Sequence, residues 1–156
     1  MIALTGQLIS GPLSARTVAG KGKAITTMSD LIGTWAPRLL SILCIVAGLQ
    51  FLEHGTQKFC SFPARAGAAP ELVSLLGLQG CLEIAGGPLI ILGLFTWSAA
   101  FVLAGNMAVA YFIAHFPKSF FPALNGGDSA ILFCFVFLYL SAAGGGAGSV
   151  DARRTD

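Results

Sequence analysis

Five side chains able to exchange protons or hold a polar ligand lie within residues 49–58: Gln50, Glu53, His54, Gln57 and Lys58. If the segment is helical, their spacing of i, i+3, i+4, i+7 and i+8 puts them on one stripe roughly 140° wide. Leu49, Phe51, Leu52, Gly55 and Phe59 occupy the other face. A carboxylate beside an imidazole can pass protons, and an ammonium can hold an anionic or phenolate oxygen. The stripe ends an otherwise apolar run. Ionisable groups are costly in hydrocarbon, so such a stripe must face a bundle interior, a partner or a wet cavity. A second acid, Glu83, stands alone in another apolar run, and Tyr111 lies one helical turn before His115 in a third. Asn125 and Asp128 flank a Gly-Gly pair.

The elements that carry these groups follow from composition. The chain has 156 residues, 55% of them hydrophobic and 10% charged, with 20 Gly and 12 Phe. Soluble domains average about 25% charged, and the mean hydropathy here is +0.80. Small residues let membrane helices pack closely. The expected fold class is an all-α membrane protein, a four-transmembrane-helix bundle. A soluble bundle would need four core helices apolar nearly all round. The formal net charge of +2 and the absence of a basic, aromatic-interleaved patch argue against a nucleic-acid partner. The four cysteines form no CxxC pair and no zinc spacing, so neither a metal site nor a disulfide framework is expected.

Four spans are expected, at about 38–59, 71–95, 97–116 and 128–144, each long enough for a ~30 Å hydrocarbon core. Pro70 suits entry to the second, Pro117 stops the third, and Asn125-Gly126-Gly127 opens the fourth. Gly86-Gly87-Pro88 marks a kink in the second, and Ala104, Ala108, Ala110 and Ala114 give small-residue spacing in the third. Residues 1–34 form a separate basic tail, rich in Gly, Ser and Thr, expected to lack fixed structure. It fits a segment lying on an anionic membrane surface, a targeting segment, or a leader upstream of a native start at Met28. Residues 35–150 hold the bundle, and 151–156 form a short tail.

Lys and Arg concentrate on the cytoplasmic side of membrane proteins. Arg16, Lys21, Lys23, Arg38, Arg153 and Arg154 lie on the side of the termini, against Lys58, Arg65 and Lys118 opposite. Both termini are therefore expected in the cytoplasm; a start at Met28 would leave three cations on each side. Trp35 and Trp97 would lie at the inner interface, and Phe116, Phe120 and Phe121 at the outer one.

This topology places Glu53, His54, Lys58, Tyr111, His115, Asn125 and Asp128 in the outer half, with Glu83 beneath them. The expected site is an outward-facing polar pocket. Glu53, His54 and Glu83 are the candidates for proton exchange, and Gln57, Lys58, Tyr111, His115, Asn125 and Asp128 the candidates for ligand binding. Each has a structural alternative. Gln and Asn serve as interhelical glue, Lys58 can snorkel to the interface, Asp128 can cap a helix, and His115 can be an interfacial residue. His54 and His115, the two histidines, could in principle ligate a b-type haem; a single pair without further signature disfavours it. No nucleotide, flavin, zinc-protease or nucleophile-elbow motif occurs. No cofactor is evident, and a quinone remains open.

Several segments resemble one known family in register. They are residues 37–40 and 51–59, Leu82-Glu83-Ile84-Ala85-Gly86-Gly87, residues 92–96, residues 107–112 with His115-Phe116-Pro117, and Phe121-Pro122 with Asn125-Gly126-Gly127. Together they resemble the DoxX family of small four-helix membrane proteins, over about residues 30–151. Asp128 departs from the Glu expected after Asn-Gly-Gly, with the charge kept, and the N-terminal extension is unusual for the family. The resemblance implies an inner-membrane protein of the kind often labelled an oxidoreductase and linked to quinone, catechol or thiol systems. Its expected partners are the lipid bilayer and either other membrane or redox subunits or further copies of itself. The residues contain no redox centre of their own, so electrons would come from a partner subunit. The alternative is a non-catalytic membrane scaffold, assembly factor or small-molecule carrier.

Overall fold

The computed structural model describes residues 28–64 and 67–155. The basic segment 1–27 and the loop cation Arg65 lie outside the described residues. Helix α1 runs Met28–Cys60, α2 Leu75–Leu92 and α3 Thr96–Ala110. The third helix continues as a π turn, Tyr111–His115, and a 3-10 turn, Phe116–Lys118. A short α4, Pro122–Asn125, precedes α5, Asp128–Ala143, and α6, Val150–Thr155. Among the described residues there is no strand. Three helical stretches are long and apolar enough to cross a membrane: Met28–Cys60, Leu75–Leu92 and Thr96–Lys118. Asp128–Ala143 is a shorter apolar helix.

Two boundaries differ from expectation. Residues 28–34, grouped above with the tail, are helical. Met28, Leu31, Ile32 and Trp35 recur at helical spacing, and nothing breaks the pattern before Pro37, which α1 absorbs. The second helix begins at Leu75, five residues after Pro70. Ser74 caps it, its hydroxyl accepting from the Gly77 N–H at 3.0 Å.

A glycine seam sets α1 against α2. Gly48 and Gly55 on α1 are seven residues apart, as are Gly80 and Gly87 on α2. A methyl group on Gly48 would stand 2.8 Å from the Gly87 carbonyl oxygen, and one on Gly55 2.9 Å from the Ile84 nitrogen. The two backbones therefore touch, which no larger residue permits. α3 packs against α5. Phe51 of α1 crosses to them, packing edge-on against Phe137 at 4.9 Å between ring centroids. Phe51, Ile90, Leu103, Phe137 and Leu140 are fully or almost fully buried and join all four long helices. The outward faces are apolar as well, with Leu39, Ile42, Leu49, Trp97, Phe101, Phe112, Leu132 and Phe135 exposed, the pattern of helices solvated by lipid.

The chain after α5 straps the end of the bundle where α3 begins, against Pro37 and Ser41 in the first half of α1. The Ala147 N–H donates to the Pro37 carbonyl at 3.2 Å and the Gly148 N–H to the Ser41 hydroxyl at 2.9 Å. Asp151 then caps α3: its carboxylate accepts from the Phe95 N–H (3.0 Å), the Thr96 N–H (2.8 Å) and the Thr96 hydroxyl (2.8 Å). Phe95 needs that support, because it holds the left-handed conformation at φ 50°. Burial opposes ionisation of Asp151. The bonds from Thr96 and Phe95 and the nearby Arg154 outweigh it, so the carboxyl sits below its ordinary range.

Candidate functional site

The glycine seam delivers a cation to an acid. Lys58 lies two residues before the end of α1, and its stem passes over Gly80, where a methyl group would meet its Cδ at 3.2 Å. From there Nζ reaches both carboxylate oxygens of Glu83, at 2.5 and 2.6 Å. Glu83 is only 2% exposed and the Lys58 side chain 13%. One turn earlier on α2, the Gln79 amide nitrogen donates to the same carboxylate at 3.2 Å. Two opposite charges in contact can share low-dielectric surroundings that neither would tolerate alone.

The pair forms part of the wall of a cavity of about 240 Å3. All four long helices contribute: Phe51, His54 and Lys58 from α1, Gln79 and Glu83 from α2, Met107 and Ala110 from α3, Ser129, Ala130 and Phe133 from α5. His115 joins them from the π turn. Phe133 separates this polar space from the aromatic core, and the His54 ring stands nearly perpendicular to it with centroids 6.2 Å apart. His54 is itself exposed, so the cavity is open on its side.

His115 is oriented by the loop that follows it. Its Nδ1 lies 3.1 Å from the Asn125 carbonyl oxygen. A carbonyl can only accept, so Nδ1 is the donor in this bond; whenever the ring carries no second proton, Nε2 presents a lone pair. Asn125 is buried and organises that loop: its amide donates to the Ser119 carbonyl (2.8 Å), and its side-chain oxygen accepts from the Gly127 N–H (2.7 Å). The π turn widens the helix at Tyr111–His115, a distortion that recurs at functional sites.

The structure thus brings together His54, Lys58, Glu83 and His115. Asn125 acts behind His115. The other candidates lie elsewhere: Glu53 is exposed on α1, and Gln57 does not line the cavity. Tyr111 stacks on His115 with ring centroids 6.4 Å apart, but lines an apolar groove between α3 and α5. Asp128 is exposed in the first turn of α5, where its charge suits the positive helix end. Two cavity residues escape a reading of the sequence, Gln79 and Ser129. Gln79 was signalled by its i, i+4 relation to Glu83; Ser129 had no signal, being one small polar residue at a helix start.

The DoxX family model matches residues 39–116, half of the chain. The chain belongs to the DoxX family. The match takes in His54, Lys58, Gln79, Glu83 and His115, so in this DoxX-family membrane protein the polar wall of the cavity other than Ser129 lies within the family region. A relative from Haemophilus influenzae (strain ATCC 51907 / DSM 11121 / KW20 / Rd), described as an uncharacterised protein, is 42% identical over 124 residues, 76% of this chain and 92% of the relative. No solved structure matches the chain.

Proposed function

We propose that this DoxX-family protein is an inner-membrane subunit or accessory of a quinone- or thiol-linked redox system, and that its polar cavity binds a small ring-bearing molecule with an anionic or phenolic oxygen. The observation that carries the reading is the Lys58–Glu83 pair set in the wall of a cavity that also presents two histidines. A ligand oxygen that draws Lys58 away would leave the Glu83 carboxylate free to take a proton, and the Nε2 atom of His115 is a second acceptor. Conversion of a quinone to a quinol takes up two protons and two electrons. In this reading the protons reach the ring through these acceptor groups and a partner subunit supplies the electrons. The cavity volume, about 240 Å3, suits one substituted ring and is small for a haem.

The reading includes four membrane crossings, with α5 as the fourth, both termini in the cytoplasm and the cavity facing outward. The strap joins the ends of α2 and α5 to the start of α3 and to Pro37 and Ser41 in the first half of α1, which supports alternating helix directions. Trp35 and Trp97 lie toward that end and the Phe116–Phe120–Phe121 aromatic run at the other. A reporter fused to the C-terminus should be active only in the cytoplasm.

A second reading has an observation of its own. The ion pair and the glycine seam hold α1 on α2 whether or not anything binds, as a membrane scaffold or carrier would need. Binding of decyl-benzoquinone to the protein in vesicles separates the two. The first reading expects saturable binding, lost in the Lys58→Met, Glu83→Leu double variant, which strands no charge, and weakened in His115→Ala, at normal protein yield. Absence of binding by the wild-type protein, together with lowered yield of both variants, would leave only the scaffold.

A further inference from the structure

The seam between α1 and α5 is the open side of the bundle. α1 packs closely on α2, and α3 on α5, but α1 and α5 approach each other at few points. A groove of about 350 Å3 runs along this seam. It shares Ser129 and Phe133 with the polar cavity, so the two spaces adjoin. Ser129 and, across from it, His54 are exposed, so the polar groups at the junction are within reach. Both walls change character in the same direction. On α1 the cavity residues Lys58 and His54 give way one turn earlier to Gln50, and then to Ala47, Val46 and Leu43. On α5 Ser129 gives way to Leu132 and Phe133, and then to Val136. Leu43, Val46 and Leu132 are exposed, so the apolar half faces the surrounding lipid. A hydrocarbon chain without a polar head matches only that half. An amphiphile matches the whole seam, and in one orientation.

We propose that the α1–α5 groove receives the linear apolar tail of an amphiphilic, bilayer-dissolved ligand whose ring-bearing polar head occupies the cavity, a role that rests on the cavity being the ligand site proposed above. Lipid chains are as apolar as a groove of Leu and Val, so the tail gains little affinity there. What the groove supplies is direction: it guides the head from the bilayer to His54 and Lys58. The position of the tail, rather than the strength of binding, is therefore the quantity to measure.

The test uses the full chain in phosphatidylethanolamine–phosphatidylglycerol vesicles. The probe is decyl-benzoquinone with a photoreactive diazirine at the end of its tail, and adducts are mapped by mass spectrometry. Adducts are expected on Leu43, Val46, Gln50, Leu132 and Val136, and excess unlabelled decyl-benzoquinone should remove them. Decanol bearing the same diazirine lacks the head and should label lipid-facing residues without preference. Val46→Trp and Leu132→Trp narrow the groove at exposed positions and should lose the adducts. The Lys58→Met, Glu83→Leu double variant should lose them as well, because the head is no longer held. Groove adducts that persist in that variant would overturn the proposal, since the tail would then be seeking the groove by itself. On the wild-type protein, adducts removed by the competitor but lying on Met107, Ala108 and Phe112 of the α3–α5 face would overturn the groove and leave the cavity standing as a ligand site. Wild-type adducts that the competitor does not remove would overturn both. These two wild-type outcomes decide the matter even if no variant folds.

Discussion

Lys58, near the end of α1, holds both carboxylate oxygens of Glu83, near the middle of α2, at 2.5 and 2.6 Å. The two residues are 25 positions apart in the chain and come from different helices. Each charge is the other's principal compensation. Removing one partner strands a charge in a region almost sealed from solvent, which costs on the order of 3–5 kcal/mol in buried pairs. Glu83→Ala should therefore lower the unfolding midpoint in detergent strongly. The Lys58→Met, Glu83→Leu double variant should recover most of the loss, because it strands nothing. A double variant no more stable than Glu83→Ala would show that the pair is not what the local packing depends on.

Where α1 meets α2, side-chain size decides the outcome. Gly48→Leu or Gly87→Leu must push backbone against backbone, since a single methyl already falls 2.8 Å from the Gly87 carbonyl or 3.0 Å from that of Gly48. Overpacking of this kind costs about 1–3 kcal/mol or more, and here it also carries Lys58 away from Glu83. Gly33→Ala and Gly105→Ala are the controls, as nothing lies within 4 Å of a methyl at either position. Folded yield and thermal midpoint should separate the two pairs of variants.

Asp151 predicts a pH dependence at the strapped end. Its carboxyl is held below its ordinary value when folded, against about 3.9 in an unfolded chain. The stabilisation it gives is thus complete above the unfolded value and disappears as pH falls through the lowered folded one. In the wild-type protein, amide exchange at Phe95 and Thr96 should quicken, relative to the bundle core, only below about pH 4. Asp151→Ala should show the faster exchange at neutral pH, with a cost of about 0.5–2 kcal/mol typical of a lost helix cap. Exchange at Phe95 that ignores both acid and the substitution would refute the capping role.

The loop behind His115 depends on one side chain. Asn125→Ala leaves the Gly127 N–H without its acceptor and the Ser119 carbonyl without its donor, a cost of about 1–3 kcal/mol for the buried group. The loop should then loosen and the His115 ring lose its fixed tautomer. Nitrogen chemical shifts of labelled His115 would report this directly: a single Nδ1–H form in the wild type, and a mixture in the variant. A single form in both would show that the Asn125 side chain is not needed to hold its carbonyl against the ring.

Much of this architecture was legible in the chain. Apolar runs of bilayer length, four short family segments in register and the isolated acid in the second run point to a helical membrane protein with a polar site built around residues 53–58 and Glu83. That information is local: hydrophobic length, helical spacing and the anomaly of a charge in an apolar run all lie within one element. The helix limits were less legible. Ser74 rather than Pro70 starts α2, because a side-chain oxygen that satisfies a free N–H makes a better start than a proline four residues upstream.

Rotation and partner choice were settled only in three dimensions. Glu53, His54, Gln57 and Lys58 share a stripe in sequence. Yet the close approach permitted by Gly48, Gly55, Gly80 and Gly87 turns α1 so that Lys58 and His54 reach the cavity while Glu53 remains outside. The same holds for Gln79 and Ser129, whose meaning depends on what stands across from them. Hydrophobic length is a property of one segment and can be read from it. A contact is a property of two surfaces, and the packing of the helices decides which polar groups meet.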